Sequence, residues 1–562
     1  MGIKNRLLLQ ALGVFLVASG FLIVLAPSAP FTKELGVCES GAVRDVLAGN
    51  IILPRFLPGP IIHVPPLYWW LVALYVKALG WSELAFRFPS LIAAALTCAM
   101  VFTWSGVTLG PRVGFLAASA LLLCHFFLDA ARQPRMDSML ALFVTIAAAS
   151  LERAISLRTQ AAPLALGHFV AAAIALGLGA LTKGVLGVIL PGQVMVLFLL
   201  VRGRWRELFH FDLAVTFATG LAIGVAWFVA GYQLGGRPFI EWQVRMNLWS
   251  RFVPAGAGGA DYCAHPFWYF GPQILKGFLP WSLYLPLFAL VAWRHAGRRL
   301  PEPVVYALCW FAALFIFFSS SHGKCLIYIL PAFPPLAIIT GWAIVEAEAG
   351  LDQKLVRRLF DAANIVVAIA AAVIVIAALL VVGRGIPASI GLRLHPTDRR
   401  FLELLVGQGF SPSLVLWACF FLVGAGVVLL GLLRHAPTWG ICGTLIIAAA
   451  GGWFWFGVMN PSLARSETLE TFARQAAASV PAHARIGHFG LGDCELNFYS
   501  PRPLEPISQL SCDGQVPEPR FIIIREDDFN ALPSTRRACF KVELAAAPND
   551  SIGRRLLVKR TR

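Results

Sequence analysis

Charge is what this chain has least of. Asp, Glu, Lys and Arg together make up 14% of its 562 residues, against 58% hydrophobic residues, and mean hydropathy is +0.73. That leaves too little polar surface for a soluble domain and points to a polytopic membrane protein. Acids are scarcer than bases, 30 against 46, for a net charge of +16. In a membrane chain Lys and Arg collect in cytoplasmic loops, so the excess is a topology signal and no nucleic-acid partner is expected. The 11 cysteines form no C-x-x-C pair. Cys98, Cys124, Cys309, Cys419 and Cys442 sit in apolar runs and read as small buried hydrophobes, whereas Cys494 and Cys512 lie in a hydrophilic tail and are able to pair if that tail is periplasmic. No A-x-A-like cleavage site follows the first apolar run, which is therefore expected to stay as a helix. There is no evident internal repeat, and most runs carry no charge at their centres, which argues against a transporter or flippase.

What is present is a long series of apolar runs. They fall near residues 7–27, 88–109, 113–128, 138–152, 163–181, 184–201, 213–232, 280–293, 303–319, 326–345, 362–382, 412–433 and 438–458, about thirteen spans by length. The stretch "PPLYWWLVALYVKALG" after Val64 is short and rich in Trp and Tyr, and reads as an interfacial or re-entrant helix. Loop charge tests this count. With Lys4 and Arg6 inside, alternate loops carry Arg112, then Arg153 and Arg158, then "VRGRWREL", "WRHAGRR", "QKLVRR" and Arg434. The register holds from end to end, with the N-terminus cytoplasmic and the C-terminus outside. Counting the Pro-rich stretch as a full crossing would put Arg112 and Arg153 on the wrong side.

From about Ser466 the chain turns polar. "LETFARQAAASV" reads as an amphipathic helix, "ARIGHFG" and "RFIIIRED" as strands, and "DDFNAL" as a helix start. We divide the chain into a transmembrane domain, residues 1–462, and a small α/β domain on the outer face, residues 463–562, with nothing catalytic in it.

This topology gathers polar residues on one membrane face. The first outer loop brings Glu34 and Glu39, the second Arg135 and Asp137 in "LDAARQPRMDS", the third Lys183 in "LTKGVLG". The fourth supplies Asn247, Arg251 and His265, and the fifth Lys324 and Tyr328. Each has a plain alternative: Lys183 and Lys324 as snorkelling anchors, the glutamates as solvated loop charges, His265 as an interfacial histidine, Asp137 as the N-cap of an apolar helix. The combination on one face, acids in two loops and cations in several, suits a site that deprotonates an acceptor while holding a phosphate.

The order of "GNIILPR", "PPLYWWLVAL", "ARQPRMDSMLALF", "LTKGVLGVILPG", "NLWSRF", "GFLPW" and "KCLIYILPAFPPLA" over roughly residues 30–345 resembles the bacterial aminoarabinose lipid A transferases. More broadly, it resembles the GT-C membrane glycosyltransferases that use a polyprenyl-phosphate sugar, the dolichyl-phosphate-mannose-protein mannosyltransferases among them. The resemblance implies a mainly α GT-C fold in a bacterial inner membrane and a periplasmic active site. It also implies an undecaprenyl-phosphate-type sugar donor and a lipid or glycolipid acceptor such as lipid A. A protein O-mannosyltransferase, a transferase for another envelope glycan, and a lipid-linked sugar flippase are the alternatives. The implied base is Glu39, preferred over Glu34 for its "E-S" context although a gapless register favours Glu34, with Asp137 orienting it or binding the sugar. Donor phosphate would be held by Lys183, Arg251 and Lys324, with Arg135 and His265 behind them; His63, Asn247, Tyr68 and Tyr328 would touch substrate. The family's "K-P-P-L" is "V-P-P-L" here, so Val64 stands where a phosphate-binding lysine is expected. A single displacement would invert the sugar's anomeric configuration. A monomer without cofactor is expected; Mg²⁺ or Mn²⁺ between Glu39 and Asp137 is the alternative, since hard cations take oxygen ligands.

Overall fold

The computed structural model describes residues 3–26, 29–32, 40–55, 64–160, 162, 164–244, 264–295, 300–350, 353–386, 396–490, 494–507, 510, 519–546 and 553–561. Helices dominate. In chain order they begin with α1 (Ile3–Leu25), α2 (Ser40–Leu47), α3 (Leu67–Leu79), α4 (Glu83–Thr108), α5 (Pro111–Leu122), α6 (His125–Arg132), α7 (Asp137–Thr159), α8 (Ala165–Lys183), α9 (Leu186–Val201) and α10 (Phe211–Val244). Then come α11 (Phe270–Gly277), α12 (Leu285–Arg294), α13 (Glu302–Ser320), α14 (Phe333–Ala349), α15 (Lys354–Arg384), α16 (Pro396–Gln408), α17 (Pro412–Leu433) and α18 (Pro437–Phe454).

The chain is a polytopic membrane protein. Among the described residues 10 helices are long and apolar enough to cross a membrane, or up to 12 if each of two bent pairs counts as one span. The difference from a count of about thirteen has a plain cause, because hydropathy sums apolarity and is blind to breaks. The run at 113–128 is split into α5 and α6, which meet at 63°, and the run at 280–293 belongs to a pair bent by 103°. The run at 184–201 forms α9, only 16 residues long. The Pro-rich stretch forms α3, 13 residues entered through Pro65 and Pro66, too short to span at 1.5 Å per residue.

Helix α7 packs against α8, α4 and α9, and α5 lies between α4 and α14; together they build one large apolar core. Helices α15, α17 and α18 form a second bundle with its own core. After α18 the chain builds a five-stranded sheet in the order β2-β1-β3-β5-β4, from β1 (Ile486–Phe489), β2 (Leu504–Ile507), β3 (Phe521–Arg525), β4 (Phe540–Ala545) and β5 (Arg555–Arg560). β1 runs parallel to β2 and β3, and β5 antiparallel to β3 and β4. Two of these strands, β1 and β3, coincide with the segments read as strands from the sequence; β2 is short, and β4 and β5 mix charged with apolar residues.

The sheet docks on the end of the bundle where α4 begins. Phe498 packs edge-on against Phe31 and Phe86, the Trp81 indole donates to the Phe498 carbonyl at 3.0 Å, and Arg44 donates to the Ser500 carbonyl at 2.9 Å. The Tyr499 hydroxyl accepts from the Phe31 amide at 2.8 Å and donates to Glu83 at 3.0 Å. Burial and that carboxylate push the Tyr499 phenol above its ordinary value, so it stays a neutral donor. Burial likewise lowers the pKa of Arg44, whose guanidinium sits over the Trp81 ring at 4.3 Å.

Candidate active site

Lys183 owes its position to a glycine corner. Helix α8 ends on it, Gly184 turns the chain at φ 65°, and α9 starts two residues later. Gly179 and Gly187 face each other across that corner so closely that a Cβ on Gly187 would lie 2.1 Å from the Gly179 carbonyl carbon. Small residues let the two backbones touch, as at many membrane helix contacts, and the contact fixes where the lysine emerges.

Asp137 opens α7 and is 4% exposed. The capping alternative does not hold: Met136 occupies the cap position with helical backbone angles, and no side-chain cap bond forms. Its carboxylate instead meets two cations, the Lys183 ammonium at Oδ1 and Arg135 Nε at 3.2 Å from Oδ2. A carboxylate at a helix N-terminus with two cations is well compensated in a site this dry. The group keeps one net positive charge.

Arg135 is aimed from behind by a residue the sequence reading passed over. Ser90 is fully buried; its hydroxyl donates to the Arg135 carbonyl at 2.8 Å and accepts from the Arg135 amide at 3.3 Å. The Tyr68 hydroxyl lies 3.0 Å from Ser90 Oγ and donates to the Phe86 carbonyl at 3.1 Å. Tyr68 is itself 0% exposed, which moves it from the substrate surface to the support of that surface. A serine in an apolar helix gives no signal of this role, because the same residue type is also a common helix-packing residue.

The ammonium of Lys183 lies 4.7 Å from the centre of the Tyr328 ring, and both residues line a cavity of about 470 Å³. Its walls are apolar: Val64 and Pro65 ahead of α3, Val185 just before α9 and Ile189 within it, Leu221, Val225 and Phe228 from α10, Phe317 and Phe318 from α13. Ser321 and Gln243 supply the few other polar groups, and Trp227, whose indole donates to the Ile52 carbonyl at 3.0 Å, closes one side. Such a pocket, apolar in most of its lining and with a lysine in its wall, suits a lipid with an anionic head.

Lys324 stands behind the rim. It is 4% exposed, and its ammonium donates to the carbonyls of His265, at 2.8 Å, and Ser321. Burial lowers its pKa. His265 itself is exposed and stacks flat on Tyr269 at 3.9 Å. Lys324 and His265 therefore meet each other through the backbone, next to cavity residues Ser321 and Gly323. Glu34, Glu39, His63, Asn247 and Arg251 lie outside the described residues. Among the described residues no three His, Cys, Asp or Glu side chains gather as a metal site would need.

The free cysteines among the described residues include Cys98, Cys124, Cys309, Cys419 and Cys442 in the apolar helices. In the C-terminal segment Cys539 is disulfide-bonded, a third cysteine beside the two that the sequence singled out.

Known proteins resemble this chain in sequence and in fold. The family model described as dolichyl-phosphate-mannose-protein mannosyltransferase matches residues 63–230. An undecaprenyl phosphate-alpha-4-amino-4-deoxy-L-arabinose arabinosyl transferase of Pseudomonas aeruginosa (strain LESB58) is 30% identical over 304 residues, 54% of this chain and 53% of the relative. The transferase of the same name from Edwardsiella ictaluri is 31% identical over 321 residues, 56% of this chain and 55% of its own. The matched region thus spans about half the length of these curated relatives. The crystal structure of ArnT from Cupriavidus metallidurans bound to undecaprenyl phosphate superposes with a TM-score of 0.76, covering 99% of this chain and 98% of that one at 21% identity. The chain accordingly has the GT-C fold and is similar to the aminoarabinose lipid A transferases.

Proposed function

We propose that the chain is a polyprenyl-phosphate-dependent glycosyltransferase of the bacterial inner membrane, moving a sugar from an undecaprenyl-phosphate-type donor to a lipid A-like acceptor on the periplasmic face. One observation carries this reading: a largely apolar cavity within the bundle is lined by Lys183, whose ammonium is paired with Asp137. The donor's isoprenoid tail lies along the apolar walls and its phosphate meets the lysine.

The charges fit the step. The donor phosphodiester carries one negative charge, matched by the single net positive charge of Lys183, Arg135 and Asp137. As the acceptor oxygen attacks the anomeric carbon, the bond from that carbon to the phosphate oxygen breaks and a second charge grows on the departing phosphomonoester. Preorganised cations oppose that growth without solvent reorganisation; Lys183 is nearest, Arg135 adds to it, and Lys324 and Arg251 complete the set. Asp137 is spent on its two cations, so it makes a poor base and a good positioning residue. The acceptor's proton goes to Glu39. Attack opposite the leaving phosphate inverts the anomeric centre. The N-terminus lies in the cytoplasm, and the segment 463–562 forms a domain outside. The disulfide at Cys539 supports that side, since disulfides persist in oxidising compartments.

The match to a protein mannosyltransferase family model favours a second acceptor class, a protein hydroxyl. Both are tested together: purified protein in lipid vesicles receives a short polyprenyl-phosphate sugar, and release of polyprenyl phosphate is followed with lipid A, with a Ser/Thr peptide, and with neither. Release that requires lipid A supports the first reading. Release that requires the peptide transfers the site to the second, and lipid movement between leaflets without release makes the chain a flippase and sinks both.

A further inference from the structure

A second cavity, of about 560 Å³, opens toward the bilayer at the opposite end of the bundle. Ser90, near the start of α4, touches the active-site turn, whereas Arg112 follows the far end of α4, roughly 27 Å away along the helix. The groove runs between α1, α4 and α5, with Val17 of α1 and Phe115 of α5 on its lips, 68% and 52% exposed. Gly13 forms part of its floor, and a Cβ there would meet nothing within 4 Å. The space is open because α1 sends no side chain into it at this position.

Three polar groups mark one end. Gln10, one turn before Gly13, lines the groove and is exposed on a membrane helix; among the described residues its amide has no hydrogen-bond partner. Polar side chains facing hydrocarbon are rare and ask for a ligand. Arg112 lies at the mouth with a side chain 55% exposed. Its Nη2 binds Glu348 at 2.8 Å and Thr438 at 3.2 Å, while the Nε–Nη1 edge meets no partner among the described residues. Arg6 sits four residues before Gln10, on the same face of α1. Leu7 beside it reaches the α4–α5 corner, lying 3.7 Å from where a Gly106 Cβ would stand, with Pro111 at 3.9 Å.

We infer that this groove is a binding site for one anionic glycerophospholipid of the membrane. An acyl chain fills the furrow over Gly13, the Gln10 amide bonds the ester region, and the head-group phosphate takes the open guanidinium edge of Arg112 with Arg6 nearby. The apolar walls call for an apolar chain; Glu348 offsets the charge of Arg112, so the net positive charge that favours an anion comes from Arg6, and Arg112 offers its open edge as a donor. A guanidinium edge binds phosphate with two parallel hydrogen bonds. The site is separate from the transfer site and does not depend on what the protein transfers.

The test is native mass spectrometry of the full chain released from vesicles of phosphatidylglycerol and phosphatidylcholine in equal parts. The wild type should keep one phosphatidylglycerol. Gly13→Leu, which fills the furrow, and Arg112→Gln, which removes the phosphate ligand, should each lower the retained fraction by about tenfold or more. Lys183→Met should leave it unchanged, and melting curves taken alongside identify any variant that fails to fold, in which case the other decides. Equal retention by folded variants, equal retention of the two lipids, or retention of a polyprenyl phosphate instead would each overturn the inference.

Discussion

Lys183→Met separates the two jobs of this residue, holding Asp137 and meeting the donor phosphate. Methionine keeps the apolar stem and removes the ammonium with its charge and its donors. The loss leaves Asp137 buried with Arg135 alone, and breaking one side of a buried pair costs about 3–5 kcal/mol when nothing replaces it. Arg135 stays at 3.2 Å, so the stability cost should fall at or below the low end of that range. Activity should suffer differently. One preorganised group facing developing charge is worth roughly 3–4 kcal/mol, or 10²–10³ in rate. Polyprenyl phosphate release at saturating donor should therefore drop by at least about a hundredfold.

The double variant Lys183→Met/Asp137→Asn tells these effects apart. It removes both charges of the pair, so melting temperature should recover much of what either single change loses, a coupling of about 1–3 kcal/mol. Release should remain as low as in Lys183→Met, because the phosphate still lacks its cation. Two results speak against a phosphate-binding lysine: turnover of Lys183→Met within threefold of wild type, or a double variant that regains activity along with stability. Either result would make the lysine a structural counter-ion.

Four further outcomes are expected. Glu39→Gln should lower release by about 10²–10⁴ while Glu34→Gln changes it little; the reverse ranking would hand the proton to Glu34. Ser90→Ala should lower kcat several-fold with donor KM nearly unchanged, and Ser90→Thr should restore it, because the hydroxyl fixes the Arg135 peptide and touches no substrate; a pure KM effect would refute that role. Lys324 has its pKa lowered by burial, so release should fall as pH rises through a value below that of an ordinary lysine, and Lys324→Arg should abolish this alkaline limb. Stability moves the other way: the folded state penalises the ammonium, and that penalty lifts as pH rises toward the unfolded lysine's pKa, so unfolding cannot explain the loss. Gly187→Ala must displace the Gly179 backbone and should destabilise by more than about 2 kcal/mol, as overpacked contacts do, while lowering release; a neutral effect would show that the corner holding Lys183 is slack.

Position along the chain was legible wherever chemistry and helix ends coincide. Asp137 stands out because it is charged at the start of an apolar helix, Lys183 because it ends one at a glycine, and Tyr328 because an aromatic hydroxyl follows a polar turn. Partnership was not legible. Nothing in the spacing of 46 residues says that Lys183 reaches Asp137, since that follows from the glycine contact between α8 and α9. Ser90 is one serine among many. β2 is only four residues long, β4 alternates charged with apolar residues, and the apolar run of β5 is framed by Arg555 and Lys559, so none stands out as β3 does. The broken spans were hidden for the opposite reason, apolarity continuing through residues where the helix does not.

Val64 shows how the departure from the family pattern acts in three dimensions. A lysine expected at this place would put its ammonium at the wall where the valine now lies, in the same cavity as Lys183 and Tyr328. With Val64 there, that wall is apolar, and the charge balance of the described group is left to Lys183 and Arg135 against Asp137. A second ammonium in the cavity would raise the local positive charge and lower the pKa of its neighbour. The valine removes that competition and makes the site depend on one lysine. Val64→Lys should therefore partly rescue Lys183→Met while adding little to the wild type. If the double change stays as inactive as Lys183→Met alone, the phosphate does not reach the Val64 wall and the donor lies elsewhere in the cavity.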